Sequence, residues 1–248
     1  MPNVAGSRPR AGSAGQKRAP APRHARASTV RPRHPRAVED AAEAAGSRRG
    51  GGAQPRVGVL SLQGDFALHS AALADLGCEP VRVSLPEHLT DLDALILPGG
   101  ESSTMLRLLE SSGLRSPLER FVRTQPVLGT CAGLILLARA ADKLPCPPLG
   151  ALDIDAQRNA WGRQVHSFND DIEVEPLGGT LPGVFIRAPR ITRVGPGVQV
   201  VARYRGEPVG VRAGHIVAIT FHPELTADRR LHAWFLRDVA RLAVAVPR

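Results

Sequence analysis

Strand-like and helix-like segments alternate through the first part of the region that is apolar enough to build a core. Apolar runs typical of strands lie at 57–62, 81–85, 94–97 and 126–130. Stretches with helical periodicity lie near 66–76, 102–111, 114–124 and 132–141. This order predicts an α/β fold in which helices cover both faces of a mostly parallel sheet. Ligands of such sheets bind outside the carboxyl ends of the strands, so chemistry is expected there.

The second half of the sequence has a different pattern. Residues 150–220 are strand-like and rich in turns, with glycine and proline marking the turns. A final amphipathic helix is predicted over about 227–241, because apolar residues recur there at helical spacing. We therefore expect a strand-rich C-terminal half that ends in a helix.

The net charge of +9 is concentrated at one end of the chain. Residues 1–55 hold eleven Lys or Arg and three acids, a net +8, whereas the rest holds 21 basic and 20 acidic residues, a net +1. The basic segment lacks aromatic residues and apolar periodicity, so we expect residues 1–55 to be a disordered leader and residues 56–248 to form the domain. The nearly neutral domain argues against nucleic-acid binding.

Three interpretations of the leader remain open. It is a solvated extension or upstream sequence translated from a misplaced start codon, which we favour. Alternatively it is an organelle-targeting peptide, because it is rich in Arg and poor in acids. The third interpretation is an electrostatic arm for nucleic acid.

The cysteines indicate the compartment. Cys78, Cys131 and Cys146 form an odd, sparse set without metal-ligand spacing. This pattern fits a reducing cytoplasm better than a disulfide scaffold, and it predicts no metal site. No apolar run approaches the roughly 18 residues of a membrane span, so no membrane association is expected. Cys78 and Cys146 are interpreted as ordinary packing or loop residues, since a lone cysteine is most often a small hydrophobe.

Cys131 stands apart because of its neighbours. Residues 126–135 (Pro-Val-Leu-Gly-Thr-Cys-Ala-Gly-Leu-Ile) combine a short apolar run, a cysteine among small residues and the start of an apolar helix. Small neighbours allow a sharp strand-to-helix turn that exposes the sulfur at the end of the strand. A thiol at a helix N-terminus is favoured as thiolate. Cys131 is therefore the candidate nucleophile.

A base and its orienter are predicted near the end of the chain. The strand-like run at 215–220 is followed by Phe-His-Pro-Glu, which places His222 two residues before Glu224. Residues i and i+2 of an extended segment share a side, and Pro223 keeps the segment extended. Glu224 can then hold the His222 imidazole in one tautomer while its other nitrogen faces a thiol, which completes a triad with Cys131.

The remaining histidines of the domain have no carboxylate at this spacing, and we expect surface or structural roles for them: His69, His88, His166, His215 and His232.

A glycine pair follows the third strand-like run. Two glycines allow close backbone approach to a ligand, and the backbone N–H groups near Gly100 and of Ala132 are candidates for an oxyanion hole. Ser102 or Ser103 is expected to cap a helix that begins near Met105.

With these motifs the chain resembles the class I (triad) glutamine amidotransferases, which implies a flavodoxin-like sheet. Within that class it is most similar to the glutaminase subunits of pyridoxal 5'-phosphate synthase, the vitamin B6 branch. The elbow at Cys131 and the His-Pro-Glu unit are shared across the class. Residues 158–164 (Arg-Asn-Ala-Trp-Gly-Arg-Gln) and 185–189 (Phe-Ile-Arg-Ala-Pro) resemble the vitamin B6 branch. The resemblance runs from about Val57 to about Ala240.

The resemblance implies hydrolysis of L-glutamine to L-glutamate and ammonia through a glutamyl thioester, without metal or organic cofactor. It implies a partner synthase subunit that consumes the ammonia in making pyridoxal 5'-phosphate, within a hetero-oligomeric complex. It also implies the residues that hold the substrate: Gly100, Glu101, Ser102, Arg158, Ile186 and Arg187. An acidic side chain would pair with the substrate's α-amino group and a guanidinium with its α-carboxylate, although the motifs do not distinguish the arginines.

Two alternatives are weaker. The first is a glutaminase subunit that serves another biosynthetic synthase, and the second is a non-catalytic binding module on the same fold. The motifs at 158–164 and 185–189 favour vitamin B6, and a complete triad argues against a binding module. We also expect weak glutaminase activity without the partner, because docking would complete the oxyanion hole.

Overall fold

The computed structural model describes residues 53–64, 66–158 and 167–246. Residues 1–52 of the predicted leader lie outside the described residues, and so do residues 159–164 of the motif at 158–164. The helices in the described ranges are α1 (Phe66–Asp75), α2 (Ser102–Ser111), α3 (Arg115–Thr124), α4 (Ala132–Leu137) and α5 (Arg230–Trp234). The described strands are β1 (Arg56–Leu60), β2 (Glu79–Val83), β3 (Ala94–Leu97), β4 (Val127–Thr130), β5 (Ala138–Ala141), β6 (Leu152–Gln157), β7 (Ser167–Val174), β8 (Gly179–Ile186), β9 (Arg190–Val194), β10 (Gln199–Tyr204), β11 (Glu207–Ala213) and β12 (Ile216–Ile219).

Most of these strands belong to one sheet. Among the described residues its nine strands run in the order β2-β1-β3-β4-β12-β11-β10-β7-β8. The pairs from β2 to β12 are parallel, and the pairs from β12 to β8 are antiparallel. The parallel part comes mainly from the alternating segments of the sequence, as predicted, and the antiparallel part is the strand-rich C-terminal half.

Two apolar layers enclose the parallel part of the sheet. Successive residues of β3 point to opposite faces, so Ala94 and Ile96 join one layer while Leu95 and Leu97 join the other. The first layer includes residues of α1 and α5, and the second includes residues of α2, α3 and α4. Burial on both faces explains why the parallel strands are continuous apolar runs.

The antiparallel part brings a distant hairpin back to the parallel part. Strands β7 and β8 pair from Ser167 and Ile186 at the open end to Val174 and Gly179 at the turn. Strand β8 is an edge strand of the sheet and is not paired with β12. Even so, the backbone N–H of His222, just after β12, donates to the carbonyl of Val184 in β8 at 2.8 Å. The open end of the hairpin therefore lies beside the carboxyl end of β12.

Two helix predictions need correction. The helix predicted over 132–141 ends at Leu137, and the next four residues form β5, which pairs with β6 in a separate sheet with β9. Pairing with β6 outweighs the helical pattern of the sequence, and an ion pair at 2.6 Å between Arg139 and Asp155 accompanies it. The helix predicted over about 227–241 is α5, continued by one π-helical segment at Phe235–Val239.

Candidate active site

Cys131 occupies the sharp turn between β4 and α4. Its backbone has φ 48° and ψ −103°, a region that residues with a side chain rarely adopt. Such strain persists only where the surroundings enforce it. The N–H of Cys131 donates to the Ile219 carbonyl at 2.9 Å, and Gly133 lies so close to the Leu97 carbonyl that an added methyl group would overlap it. The turn thus places the thiol where β3, β4 and β12 end.

His222 and Glu224 form the second part of the site. The Nδ1 atom of His222 lies 2.7 Å from Oε1 of Glu224, and both side chains are buried. The expected partners are therefore in contact, but not through an extended segment. Pro223 begins a 3-10 turn, Pro223–Leu225, which brings the carboxylate back to the imidazole. Proline suits this first position because it has no N–H to leave unpaired.

The charges of the site favour an ion pair. Burial opposes protonation of His222, but the Cys131 and Glu224 side chains outweigh it and raise the pKa of His222 to about 10. Nε2 of His222 makes no hydrogen bond to any of the described residues. The imidazolium is therefore the favoured form at neutral pH, and an imidazolium beside a cysteine is the arrangement that activates a thiol for attack. A thiolate beside an imidazolium can attack a carbonyl carbon and then protonate a leaving group.

Gly99 supports the imidazole from the other side. A methyl group on Gly99 would overlap Cε1 of His222 and lie 3.1 Å from its Nδ1, so the backbone touches the ring. The next residue, Gly100, has φ 155°. The N–H of Glu101 donates to Oε1 of Gln63 at 3.3 Å, which ties this loop to the end of β1.

A small cavity of about 70 Å³ opens beside Cys131. It is lined by Gly100, Glu101, Ser102, Cys131, Ala132, Ile135, Arg158, Ile186, Arg187 and Pro189. The residues predicted to bind substrate and those predicted to form the oxyanion hole all lie in this lining. Ile135 was not predicted, although its position one helical turn after the nucleophile places both on one side of α4. A larger cavity of about 410 Å³ between residues 173–180 and 200–203 contains none of these groups.

Glu101 caps helix α2, a role that was predicted for Ser102 or Ser103. The Glu101 side chain caps α2, since it accepts hydrogen bonds from the N–H groups of Ser103 at 3.0 Å and Thr104 at 2.6 Å. The helix consequently begins at Ser102, earlier than the Met105 that was expected, and neither serine is the cap. Burial opposes ionisation of Glu101, but these hydrogen bonds outweigh it and lower its pKa to about 2.

The two predicted arginines differ in their surroundings. Arg158 donates from Nη2 to Glu101 at 2.7 Å and from Nη1 to the Lys143 carbonyl at 2.8 Å. Arg187 is exposed at the open end of the β7–β8 hairpin, with φ 43°, and no ion pair of its side chain is found in the described part of the chain. Of the two guanidinium groups, that of Arg187 is therefore the more available to an incoming carboxylate.

Two histidines that the sequence left with ordinary roles lie directly behind the triad. His69 and His232 are fully buried, and Nε2 of His69 lies 3.4 Å from Oε2 of Glu224. A signal was present in the sequence, because His69 occupies the same face of a predicted helix as Ala72 and Leu73. A polar side chain on an apolar face requires a buried partner.

The other cysteines lie away from this site. Cys78 is buried, and burial together with Asp93 raises the pKa of its thiol to about 11. Cys146 is half-buried, with its sulfur 3.8 Å from Nη1 of Arg115. In the described ranges no cluster of metal-ligating side chains is present. No helix of the same ranges has the length and apolar character needed to cross a membrane.

Comparison with known proteins gives consistent matches. A sequence profile of the SNO glutamine amidotransferase family matches residues 59–241. Curated relatives named pyridoxal 5'-phosphate synthase subunit PdxT include one from Koribacter versatilis (strain Ellin345), 50% identical over 184 residues, which cover 74% of this chain and 95% of the relative. Another, from Acidothermus cellulolyticus (strain ATCC 43068 / DSM 8971 / 11B), is 50% identical over 199 residues, which cover 77% of this chain and 96% of the relative.

Solved structures confirm the predicted fold. A crystal structure described as a glutamine amidotransferase is 49% identical, with a TM-score of 0.71, and the match covers 75% of this chain and 99% of that chain. The structure of PurLQS from Thermotoga maritima gives a TM-score of 0.59 at 20% identity, over 75% of this chain and 99% of that chain. At that identity the second likeness shows the fold alone.

Proposed function

This chain belongs to the SNO glutamine amidotransferase family, and from that premise we propose that Cys131, His222 and Glu224 are its catalytic triad. The protein is a glutaminase that hydrolyses L-glutamine to L-glutamate and ammonia, and it supplies the ammonia to a pyridoxal 5'-phosphate synthase subunit. The observation that supports the triad most directly is the buried pair of His222 and Glu224 just beyond β12, the strand whose Ile219 carbonyl accepts the N–H of Cys131. The roughly 50% identity to synthase subunits from different organisms supports the assignment to vitamin B6 biosynthesis.

In the proposed reaction the Cys131 thiolate attacks the side-chain carbonyl carbon of glutamine. A C–S bond forms, and the carbonyl electrons move to the oxygen, where the backbone N–H groups of Gly100 and Ala132 stabilise the negative charge. The intermediate collapses as the C–N bond breaks, and the His222 imidazolium protonates the departing amide nitrogen, which leaves as ammonia. A glutamyl thioester remains on Cys131.

Water then completes the cycle. Neutral His222 takes a proton from a water molecule, whose oxygen attacks the thioester carbon. The C–S bond breaks and the thiolate leaves, so glutamate is released and the ion pair of Cys131 and His222 is restored. Glu224 keeps the imidazole oriented in both steps and stabilises its charged form.

The substrate's charged groups are assigned from the pairing seen around the cavity. Arg158 is occupied by Glu101, so Arg187 is our candidate for the glutamine α-carboxylate. Glu101 is itself paired with Arg158 and with the first turn of α2, but it is ionised and 39% exposed, so it is our candidate for the α-ammonium group. Ser102 and Ile186 complete the walls that position the carboxamide.

The partner is proposed to control the reaction. Released ammonia has to reach the synthase without being lost to water, which requires docking over the site. We expect docking to complete the oxyanion hole, so the isolated chain should hydrolyse glutamine only weakly. Comparable rates with and without the synthase subunit would refute this control. We also propose a cytoplasmic location, because the described cysteines are free.

The test is glutamine hydrolysis with the synthase subunit added. Cys131→Ala should reduce kcat by at least about 10³-fold, because the nucleophile is lost. Cys146→Ala is the matched control, since it removes another thiol that lies outside the cavity, and it should retain the wild-type rate. Full activity of Cys131→Ala would eliminate the proposed mechanism.

A further inference from the structure

A chain of buried imidazoles ends on the carboxylate of Glu224. Nδ1 of His69, on α1, lies 3.1 Å from Nε2 of His232, on α5, and the two rings meet edge to face with centroids 5.4 Å apart. Nε2 of His69 lies 3.4 Å from Oε2 of Glu224 and at the same distance from Oγ1 of Thr130. All four side chains are buried. The contact reaches the Glu224 oxygen that His222 does not use.

The imidazoles of His69 and His232 are both neutral. Burial, together with the neighbouring His232 and His222, lowers the pKa of His69 well below its ordinary value. Burial, with Arg229 nearby, lowers the pKa of His232 to about 4. A neutral imidazole has one N–H donor and one acceptor nitrogen, so each contact of the chain has a direction.

The groups at the two ends of this row of imidazoles decide which nitrogen of each ring carries the proton. If Nε2 of His69 carries the proton, it faces Oε2 of Glu224 and Oγ1 of Thr130, and Nδ1 accepts from the Nε2–H of His232. Nδ1 of His232 is then an acceptor, and it is one of the buried atoms without a hydrogen-bond partner among the described residues. The opposite tautomers would aim a lone pair of His69 at Glu224 and leave a buried N–H of His232 unpaired, which costs about 1–3 kcal/mol. The first arrangement is therefore favoured.

We infer that His69 is a positioning residue for the proposed glutaminase reaction, held by His232 and acting through Glu224. Nε2 of His69 lies 3.4 Å from Oε2 of Glu224, a close polar contact rather than a hydrogen bond, while Nδ1 of His222 lies 2.7 Å from Oε1. The carboxylate therefore has an imidazole beside each of its two oxygens. This inference rests on the proposed function, and it adds residues from α1 and α5 to a site otherwise built at strand ends. A positioned carboxylate keeps the His222 ring aligned with the thiol.

The alternative is that the two histidines only fill space between α1 and α5. Replacement of His69 by leucine separates these possibilities, because leucine fills a similar volume but has no N–H. If packing is the only role, His69→Leu should retain the wild-type kcat, even though it lowers stability by about 1–3 kcal/mol by leaving the Nε2–H of His232 unpaired. If His69 positions Glu224, the same change should lower kcat.

The experiment measures kcat and KM for glutamine in the complex assembled with the synthase subunit. We expect His69→Leu to lower kcat roughly tenfold with KM changed by less than about twofold, a coupling in the range found for residues in contact. His69→Gln, which retains an N–H at a similar reach, should recover most of the loss. In a Glu224→Gln background, His69→Leu should change kcat by less than about twofold, because the group through which it acts is already altered.

His215→Leu is the matched control. His215 is half-buried and, like His69, hydrogen-bonded, but its Nε2 contacts the Val122 carbonyl at the opposite end of β12 from His222. It should retain the wild-type kcat. Activity of the wild type and of His215→Leu, with none in Cys131→Ala, establishes the glutaminase reaction independently of His69.

Three results would overturn the inference while leaving the glutaminase reaction intact. These are an unchanged kcat in His69→Leu, an equal loss in the Glu224→Gln background, and a His69→Gln variant as slow as His69→Leu. If His69→Leu does not fold, His232→Leu replaces it, because it removes the donor to His69 without touching Glu224. That variant should lower kcat about threefold, and an unchanged kcat would again overturn the inference.

Discussion

Residue 99 shows how little space surrounds the catalytic imidazole. A methyl group on Gly99 would overlap the His222 ring, so Gly99→Ala must displace either the loop or the ring. A displacement of about 1 Å in a catalytic group can cost about 10²-fold, and we expect a kcat loss of that order. Gly179→Ala is the control, because nothing lies within 4 Å of the position of its added methyl group. Equal kinetics of the two alanine variants would show that the contact is not required.

The charge on His222 predicts a pH dependence of stability. The pKa of His222 is raised from its ordinary 6.5 to about 10 in the folded protein, which therefore binds this proton more tightly than the unfolded chain does. The resulting stabilisation is complete below about pH 6.5 and is lost as the pH rises through about 10. Urea unfolding between pH 7 and 10.5 should show the free-energy advantage of the wild type over His222→Asn shrinking with pH. A constant difference would contradict the ion pair.

At the scale of residues, the sequence predicted those site residues that a local sequence pattern identifies. Cys131 lies in an elbow of small residues, and His222 and Glu224 are neighbours in the chain, so each was found from local spacing. His69 was missed as a partner of Glu224 because their contact joins segments 155 positions apart, and no local rule connects them. Glu101 was missed as a helix cap because Ser, Thr, Asp and Asn are the usual caps.

At the scale of elements, the cap of α2 can be tested directly. Glu101→Ala removes the acceptor for two N–H groups of the first turn, and we expect the free energy of unfolding to fall by about 1 kcal/mol. Glu110→Ala is the control, since it removes an exposed carboxylate from the last turn of the same helix. Chemical denaturation measures both variants. Equal stability of the two would mean that Glu101 contributes no more than a surface charge.

The predicted elements are most accurate where burial alone determines the sequence pattern. The run at 94–97 coincides with β3, because a strand buried on both faces has to be apolar throughout. The helix predicted to reach residue 141 was wrong beyond Leu137, since an apolar run fits either structure and only pairing with β6 distinguishes them. The prediction of an extended segment over 222–224 was wrong for a similar reason, because the turn found at Pro223–Leu225 depends on contacts with other elements.

At the scale of the whole molecule, the predicted leader should be dispensable for the reaction. The family profile begins at residue 59 and the first described strand at Arg56, so we expect residues 1–52 to take no part in the proposed site. Deletion of these residues should leave kcat and KM for glutamine unchanged in the assembled complex. A rate loss on deletion would give the leader a catalytic task. Salt-dependent nucleic-acid binding that disappears on deletion would instead support an electrostatic arm.

The two ends of the β7–β8 hairpin have different consequences for protein engineering. Its open end supplies Ile186 and Arg187 to the cavity wall and is joined to His222 through the Val184 carbonyl. Its turn, from Val174 to Gly179, lies at the opposite end of the ladder. An affinity tag or fluorescent label inserted in that turn would sit a full strand length from the chemistry, whereas a single added residue near 186 would shift the wall itself.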